Sequence, residues 1–183
     1  MTYEIAINKA WEDLAALDSA DVITVNFLGD EYSVDTKKRK IMSLSCNVPA
    51  KDFYAILILH YLSSRQNGLP APTGEWLDFK EISGLEGYGA AFRARCIEPI
   101  IKKYGTQPKH ILQVLLHLPA QEVRQGDVGI VVKVFDGVPV LVTLWGADEE
   151  FGPDANMLFD RSITKIFCTE DIVVLGQIVA HQL

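Results

Sequence analysis

The chain has little cysteine. Three cysteines, Cys46, Cys96 and Cys168, are spread over 183 residues. They are odd in number and form no CxxC pair, which excludes a disulfide scaffold, a zinc ribbon and a thioredoxin-type motif. Unpaired thiols fit a cytoplasmic protein. Long hydrophobic runs are also missing. The longest, Phe53 to Leu59, falls far short of the ~20 residues that span a bilayer, so no membrane association is expected. The N-terminus carries Glu4 before any apolar stretch, unlike a signal peptide. Cations are in deficit: Lys and Arg total 17 against 24 Asp and Glu, a net charge of −7, which argues against a nucleic-acid partner. The one basic cluster, Lys37 to Lys40, sits between strand-like runs and reads as a solvated turn. No GxxxxGK[ST], HExxH or GxSxG motif occurs. What is present is a 49% hydrophobic, 22% charged chain, long enough to bury a full core as a single domain over residues 1–183.

Hydrophobic periodicity supplies the elements. Residues 3–17 read as an amphipathic helix with Ile7, Ala10, Trp11 and Leu14 on one face. Runs 22–28, 32–35 and 41–46 read as strands, with Gly29-Asp30-Glu31 as a hairpin turn. Pro49 opens a helix to about Ser64, apolar on nearly every face and therefore central. Residues 68–74 form a Pro/Gly-rich connector, and 76–82 alternate in part. Residues 86–104 have a helical pattern in which Pro99 predicts a kink or an early end. Residues 108–118 read as a further helix. Val128–Phe135 and Val138–Trp145 are the strongest strand signals, joined by the two-residue turn Asp136-Gly137. Thr169 caps a C-terminal helix whose first turn carries Glu170 and Asp171. Two hairpins and four or five helices without βαβ alternation imply an α+β fold, its antiparallel sheet built from the hairpins and packed against the helices.

Several residues could carry chemistry. Acids are concentrated after the second hairpin: from Trp145 onward seven acids face two bases. Asp148, Glu149, Glu150, Asp154 and Asp160 could serve a divalent ion or a paired-carboxylate enzyme, although their spacing is not that of an EF-hand. The same stretch also reads as an acidic surface loop. His60 lies on the apolar helix, where a neutral imidazole is either satisfied by a core partner or acts as a ligand. His110 and His117 are two helical turns apart, too far for an i, i+4 ligand pair, and read as surface or structural residues. Gly84-Leu-Glu-Gly87-Tyr-Gly89 reads as a glycine-rich helix entry, with Arg93 and Arg95 one to two turns on. No cysteine has a histidine close in sequence.

The motif Leu144-Trp145-Gly-Ala-Asp148-Glu149-Glu150-Phe151 is followed by Asn156-Met-Leu158-Phe159-Asp160 and then by Thr169-Glu170-Asp171 with Leu175-Gly176. With Ile58-Leu59-His60-Tyr61-Leu62, Gly74-Glu-Trp76 and Phe92-Arg93-x-Arg95, these residues make the chain resemble an uncharacterised family, number 3786 among the domains of unknown function. Gly152 departs from the proline expected after Phe151. The resemblance implies no activity. It implies a context of cytoplasmic proteins of strict anaerobes, some joined to iron–sulfur domains of corrinoid proteins. From this follows the expectation of a cofactor- or ligand-binding protein, with a corrinoid (cobalamin) as the cofactor of an anaerobic methyl-transfer or reductive pathway and a corrinoid/iron–sulfur protein as partner. In that expectation Trp76, Tyr88, Phe92, Trp145 and Phe151 supply apolar walls, Asp148, Glu149 and Arg93 hydrogen bonds, and His60 an axial ligand. The usual DxHxxG corrinoid signature is absent. The alternatives are a carboxylate or metal-dependent enzyme on the Asp148–Asp160 segment, and an accessory protein with no small ligand.

Overall fold

A computed structural model describes residues 2–17, 20–83 and 88–183. The chain opens with α1 (Thr2–Ala15), which buries Ala10, Trp11 and Leu14 as its periodicity requires. Three antiparallel strands follow: β1 (Val22–Phe27), β2 (Asp30–Asp35) and β3 (Lys40–Ser43). The first turn is Leu28-Gly29, one residue earlier than the sequence suggests. Both residues have positive φ, 51° and 86°, the mirror-image turn whose twist matches that of paired strands. The basic cluster is the solvated β2–β3 turn, where Lys37 pairs with Asp21 and Lys38 with Asp35.

The central helix, α2 (Asp52–Gln66), buries seven residues between Ala55 and Leu62. The segment beyond the connector divides into β4 (Trp76–Leu77) and α3 (Phe79–Ser83). Reciprocal bonds between Asp78 and Glu81 start that helix: each backbone N–H donates to the other's carboxylate, both at 2.8 Å. Next, α4 (Tyr88–Phe92) runs into a π turn over Arg93–Ile97 and then α5 (Glu98–Tyr104). The interruption expected at Pro99 is this π turn. A proline ring clashes with the carbonyl four residues back and has no N–H to donate, and the widened turn lets Glu98 N–H reach Arg93 C=O instead. Pro108–Leu116 is a 3₁₀ helix, not the α-helix its pattern suggests.

The second sheet has the order β4-β8-β7-β6-β5, all antiparallel. It contains β5 (Ala120–Val123), β6 (Val128–Phe135), β7 (Val138–Trp145) and β8 (Asp154–Asp160). The α+β class therefore holds, with the two hairpins in separate sheets of three and five strands. The acidic stretch is only in part a loop, because from Asp154 it is a strand. A short 3₁₀ turn (Arg161–Lys165) leads to α6 (Thr169–Gln182), whose cap is Cys168, one residue before the expected Thr169.

Two features hold the sheets together. The β6–β7 register slips between Lys133 and Phe135. At this bulge Val134 C=O accepts the N–H of Leu28 at 2.9 Å, across to the other sheet's turn. Beneath it Phe27, Phe135 and Tyr61 stack in series, with ring centroids 4.6 and 4.4 Å apart. Tyr61 Oη also donates to Asp136 C=O at 2.9 Å, which fixes α2 to the second hairpin. No helix among the described residues is long and apolar enough to cross a membrane.

Candidate functional site

The residues singled out in the sequence occupy two separate regions. Phe92, Arg93 and Trp145 meet in a cleft of about 570 Å³ between the π-turn helix and β8, together with Asp154–Met157, Ile97 and Asp78–Lys80. Arg93 Nη2 donates to Asp154 Oδ1 at 2.9 Å. Phe92 is mostly a core residue, stacked on Phe79 at 4.3 Å, and only part of it reaches the cleft. Trp145 stands at the mouth, 39% exposed. Tyr88 begins α4, but its side chain lies outside the described residues, as does the glycine-rich entry at 84–87.

The other expected walls and polar contacts are elsewhere. Trp76 pairs with Asp160 in the short β4 strand and does not line the cleft. Phe151 and Glu149 are exposed on the β7–β8 loop. Asp148 shapes that loop: its Oδ1 accepts the N–H groups of Phe151 and Glu150 at 2.7 and 2.9 Å, which hold its carboxyl below the ordinary value. Asp160 is buried at the far end of β8. It accepts Thr73 N–H and Oγ1–H, Gly74 N–H and Ser162 N–H. Burial alone would raise its carboxyl, but these donors pull it down to about 2. The acids thus perform separate local tasks, and among the described residues no group of three or more His, Cys, Asp or Glu is arranged around a metal position.

His60 forms the second region. Its Nδ1 lies 2.7 Å from Asp171 Oδ2, with Asp171 buried in the first turn of α6 and the imidazole about one-third exposed. The sequence accounts for Asp171 only as a charge suited to a helix start. Its partner is 111 residues away, and nothing local in the sequence signals the pair. The hydrogen bond to Asp171 raises the His60 pKa, burial opposes it, the charges of Asp171 and Asp13 add to the rise, and Lys9 subtracts.

Two grooves meet at this pair, and both are lined by His60, Asp171 and Cys168. One, of about 640 Å³, is polar, with Asp13, Ser63, Ser64, Asn67 and Lys165. The other, of about 460 Å³, is apolar, with Tyr3, Ala6, Phe53, Ile56, Leu57 and Val174. Desolvation and the charge of the neighbouring Asp171 push the Cys168 thiol up to about 11, which disfavours its thiolate at neutral pH. Burial raises Cys96 to about 12. His110, His117 and His181 are exposed, in keeping with the surface role read for the first two. A neutral His60 that donates its Nδ1–H in a hydrogen bond to Asp171 Oδ2 presents the lone pair of Nε2. That is how a carboxylate prepares an imidazole to coordinate or to accept a proton.

Neither the curated proteins nor the solved structures contain a match to this chain. One family model, described as Domain of unknown function (DUF3786), matches residues 10–182. The match takes in both sheets, the cleft beside Trp145 and the His60–Asp171 pair, and the chain belongs to the DUF3786 family.

Proposed function

We propose that the protein is a cofactor-binding protein in which His60 would hold the ligand, and that the cofactor is a large metal-bearing organic ring, a corrinoid being the case the family context suggests. The observation that carries this reading is the 2.7 Å contact between His60 Nδ1 and Asp171. A carboxylate behind a histidine fixes the ring, sets the tautomer and raises the basicity of the free nitrogen. The surroundings suit a ligand of mixed character. The apolar groove with Phe53 and Ile56 offers a seat for a ring face, and the polar groove with Asn67 and Ser64 offers partners for amide side chains. The corrinoid itself supplies cobalt chemistry. The chain's part is to hold the ring, to present Nε2 and to place the Asp171 carboxyl behind it. Phe92, Arg93, Trp145, Asp148, Glu149 and Phe151 have no part in this site.

The test is a titration of aquocobalamin with the protein, followed by visible absorption at pH 8. A saturable spectral shift is expected. It should disappear in His60→Ala and weaken by about 10–100-fold in Asp171→Asn. Because a proton competes with the metal for His60, affinity should fall as the pH drops through the raised pKa of the imidazole. No spectral change at high micromolar protein overturns the corrinoid reading.

A further inference from the structure

The cleft beside Trp145 is lined by side chains with unspent binding capacity. Trp145 stands at one end. Its indole rests on the backbone at Gly126, where an added Cβ would lie 3.3 Å from Cε2, yet the ring lines the cleft and is exposed. An aromatic ring held on one side and open on the other is a stacking surface whose position is already fixed. Lys80 is the cation without a counter-ion. Its stem lies on Gly89, where an added Cβ would come within 3.2 Å of Cε and 3.3 Å of Cγ. The acids beside it in sequence are occupied, because Asp78 and Glu81 accept each other's N–H. Lys80 makes no ion pair among the described residues. The other cation of the cleft, Arg93, is neutralised by Asp154. Between the two ends, the half-buried Asn156 gives its Oδ1 to Met157 N–H at 2.9 Å. That bond fixes the amide and leaves the Nδ2 donors without a partner among the described residues.

The spacing of these groups defines the ligand. Trp145 pairs with Asp154, and the lining follows β8 from there to Met157, toward the β4–α3 junction that carries Lys80. Three residues of extended strand cover about 10 Å. An aromatic acid with its carboxylate directly on the ring is too short to use both ends. We propose that the cleft binds a small molecule with a planar aromatic ring at one end and an anionic group at the other, joined by a polar spacer, the class to which nucleoside monophosphates belong. The ring stacks on Trp145, Lys80 holds the anion, and Asn156 Nδ2 donates to the spacer. A volume of about 570 Å³ suits a ligand of this size. Trp145 and Lys80 are both exposed, so the ligand reaches them without displacing any element. This inference does not rest on the cofactor reading, since the cleft shares no lining residue with the grooves at His60.

The test titrates the intact protein by calorimetry with AMP and UMP, and in separate arms with adenosine, inorganic phosphate and indole-3-carboxylate. Saturable binding of at least one nucleotide is expected below millimolar concentration. Adenosine, which lacks the anion, should bind about tenfold more weakly, and Lys80→Gln should weaken the nucleotide by a similar factor. Trp145→Ala should weaken it about tenfold through the lost stacking. Both substitutions are at exposed positions and should leave the melting temperature unchanged. If Trp145→Ala lowers it, Lys80→Gln and the adenosine arm decide the matter. Phosphate alone binding as tightly as the nucleotides would remove the ring from the site, and indole-3-carboxylate doing so would remove the spacer; either overturns the proposal. So does the absence of heat with both nucleotides at millimolar concentration, or full nucleotide affinity in folded Lys80→Gln and Trp145→Ala, which would place the binding elsewhere.

Discussion

Asp160 and His60 are both partly or wholly withdrawn from water, and their partners give them opposite pH signatures. Asp160 has a depressed pKa of about 2. It therefore contributes stability above the unfolded carboxyl value near 4, and that contribution is lost as the pH falls toward 2. Asp160→Ala removes the acceptor of four donors, of which Ser162 N–H is buried while those of Thr73 and Gly74 belong to exposed residues. It should cost about 2 kcal/mol at pH 7 by urea unfolding, with the gap to wild type closing in acid. His60 runs the other way. Its pKa is raised, so the Asp171 interaction is fully present below the unfolded value of about 6.5 and fades as the pH rises through the higher folded value. With the ring one-third exposed, the effect is small, within about 1 kcal/mol. The stability difference between wild type and His60→Gln should be larger at pH 6 than at pH 8.5. A pH-independent difference would mean that the pair contributes nothing ionic.

At the scale of elements, α6 and the π turn are fitted closely. A Cβ at Gly176 would lie 3.0 Å from Phe92 Cε2 and 3.3 Å from Cys96 Sγ. Gly176→Val should therefore cost about 2 kcal/mol through overpacking, read as a lowered urea midpoint, and should disturb the Phe79–Phe92 stack. The elements that could be read from the sequence are those whose signal is local. The Val128–Trp145 hairpin declares itself through β-branched residues around Asp136-Gly137, α2 through its apolar character on nearly every face, and an interruption of the 86–104 helix, though not its π form, through Pro99. β5 is four residues with two exposed polar positions, too short for periodicity to register. β8 carries an acid at each end, and its run Asn156-Met157-Leu158-Phe159 does not alternate between apolar and polar, although burial does: Ala155, Met157 and Phe159 are buried while Asn156 and Leu158 are half-buried. Pro108–Leu116 has a helical pattern, but a 3₁₀ helix and an α-helix share much of that pattern. Of the site, the sequence identifies His60 as a candidate and not Asp171 as its partner, because only tertiary structure brings residues 111 apart together. The expected corrinoid walls are divided for the same reason: composition and resemblance name residues but do not place α2 and the π turn on different grooves.

For the molecule as a whole, the −7 charge proves less concentrated in effect than in sequence. Asp154 is neutralised by Arg93, Glu75 by Arg161, and Asp148 is bound by its own loop's amides. The two candidate sites have no lining residue in common, so substitutions in them should act independently. Trp145→Ala should leave the aquocobalamin titration unchanged within about twofold. Coupling beyond that would require α6, which packs on the π turn and carries Asp171, to shift between two positions.

The bond from Leu28 N–H to Val134 C=O has a consequence for how the protein opens. This amide belongs to the turn of one sheet and is shielded by the bulge of the other. It can exchange its hydrogen with solvent only when the two sheets part or when the turn itself unravels. Strand amides within either sheet exchange when that sheet opens. In deuterated solvent, a Leu28 amide that exchanges as slowly as those of β7 would mark a single cooperative unit. One that exchanges faster, while β1, β2 and β7 stay protected, would mark two sheets that separate before either melts.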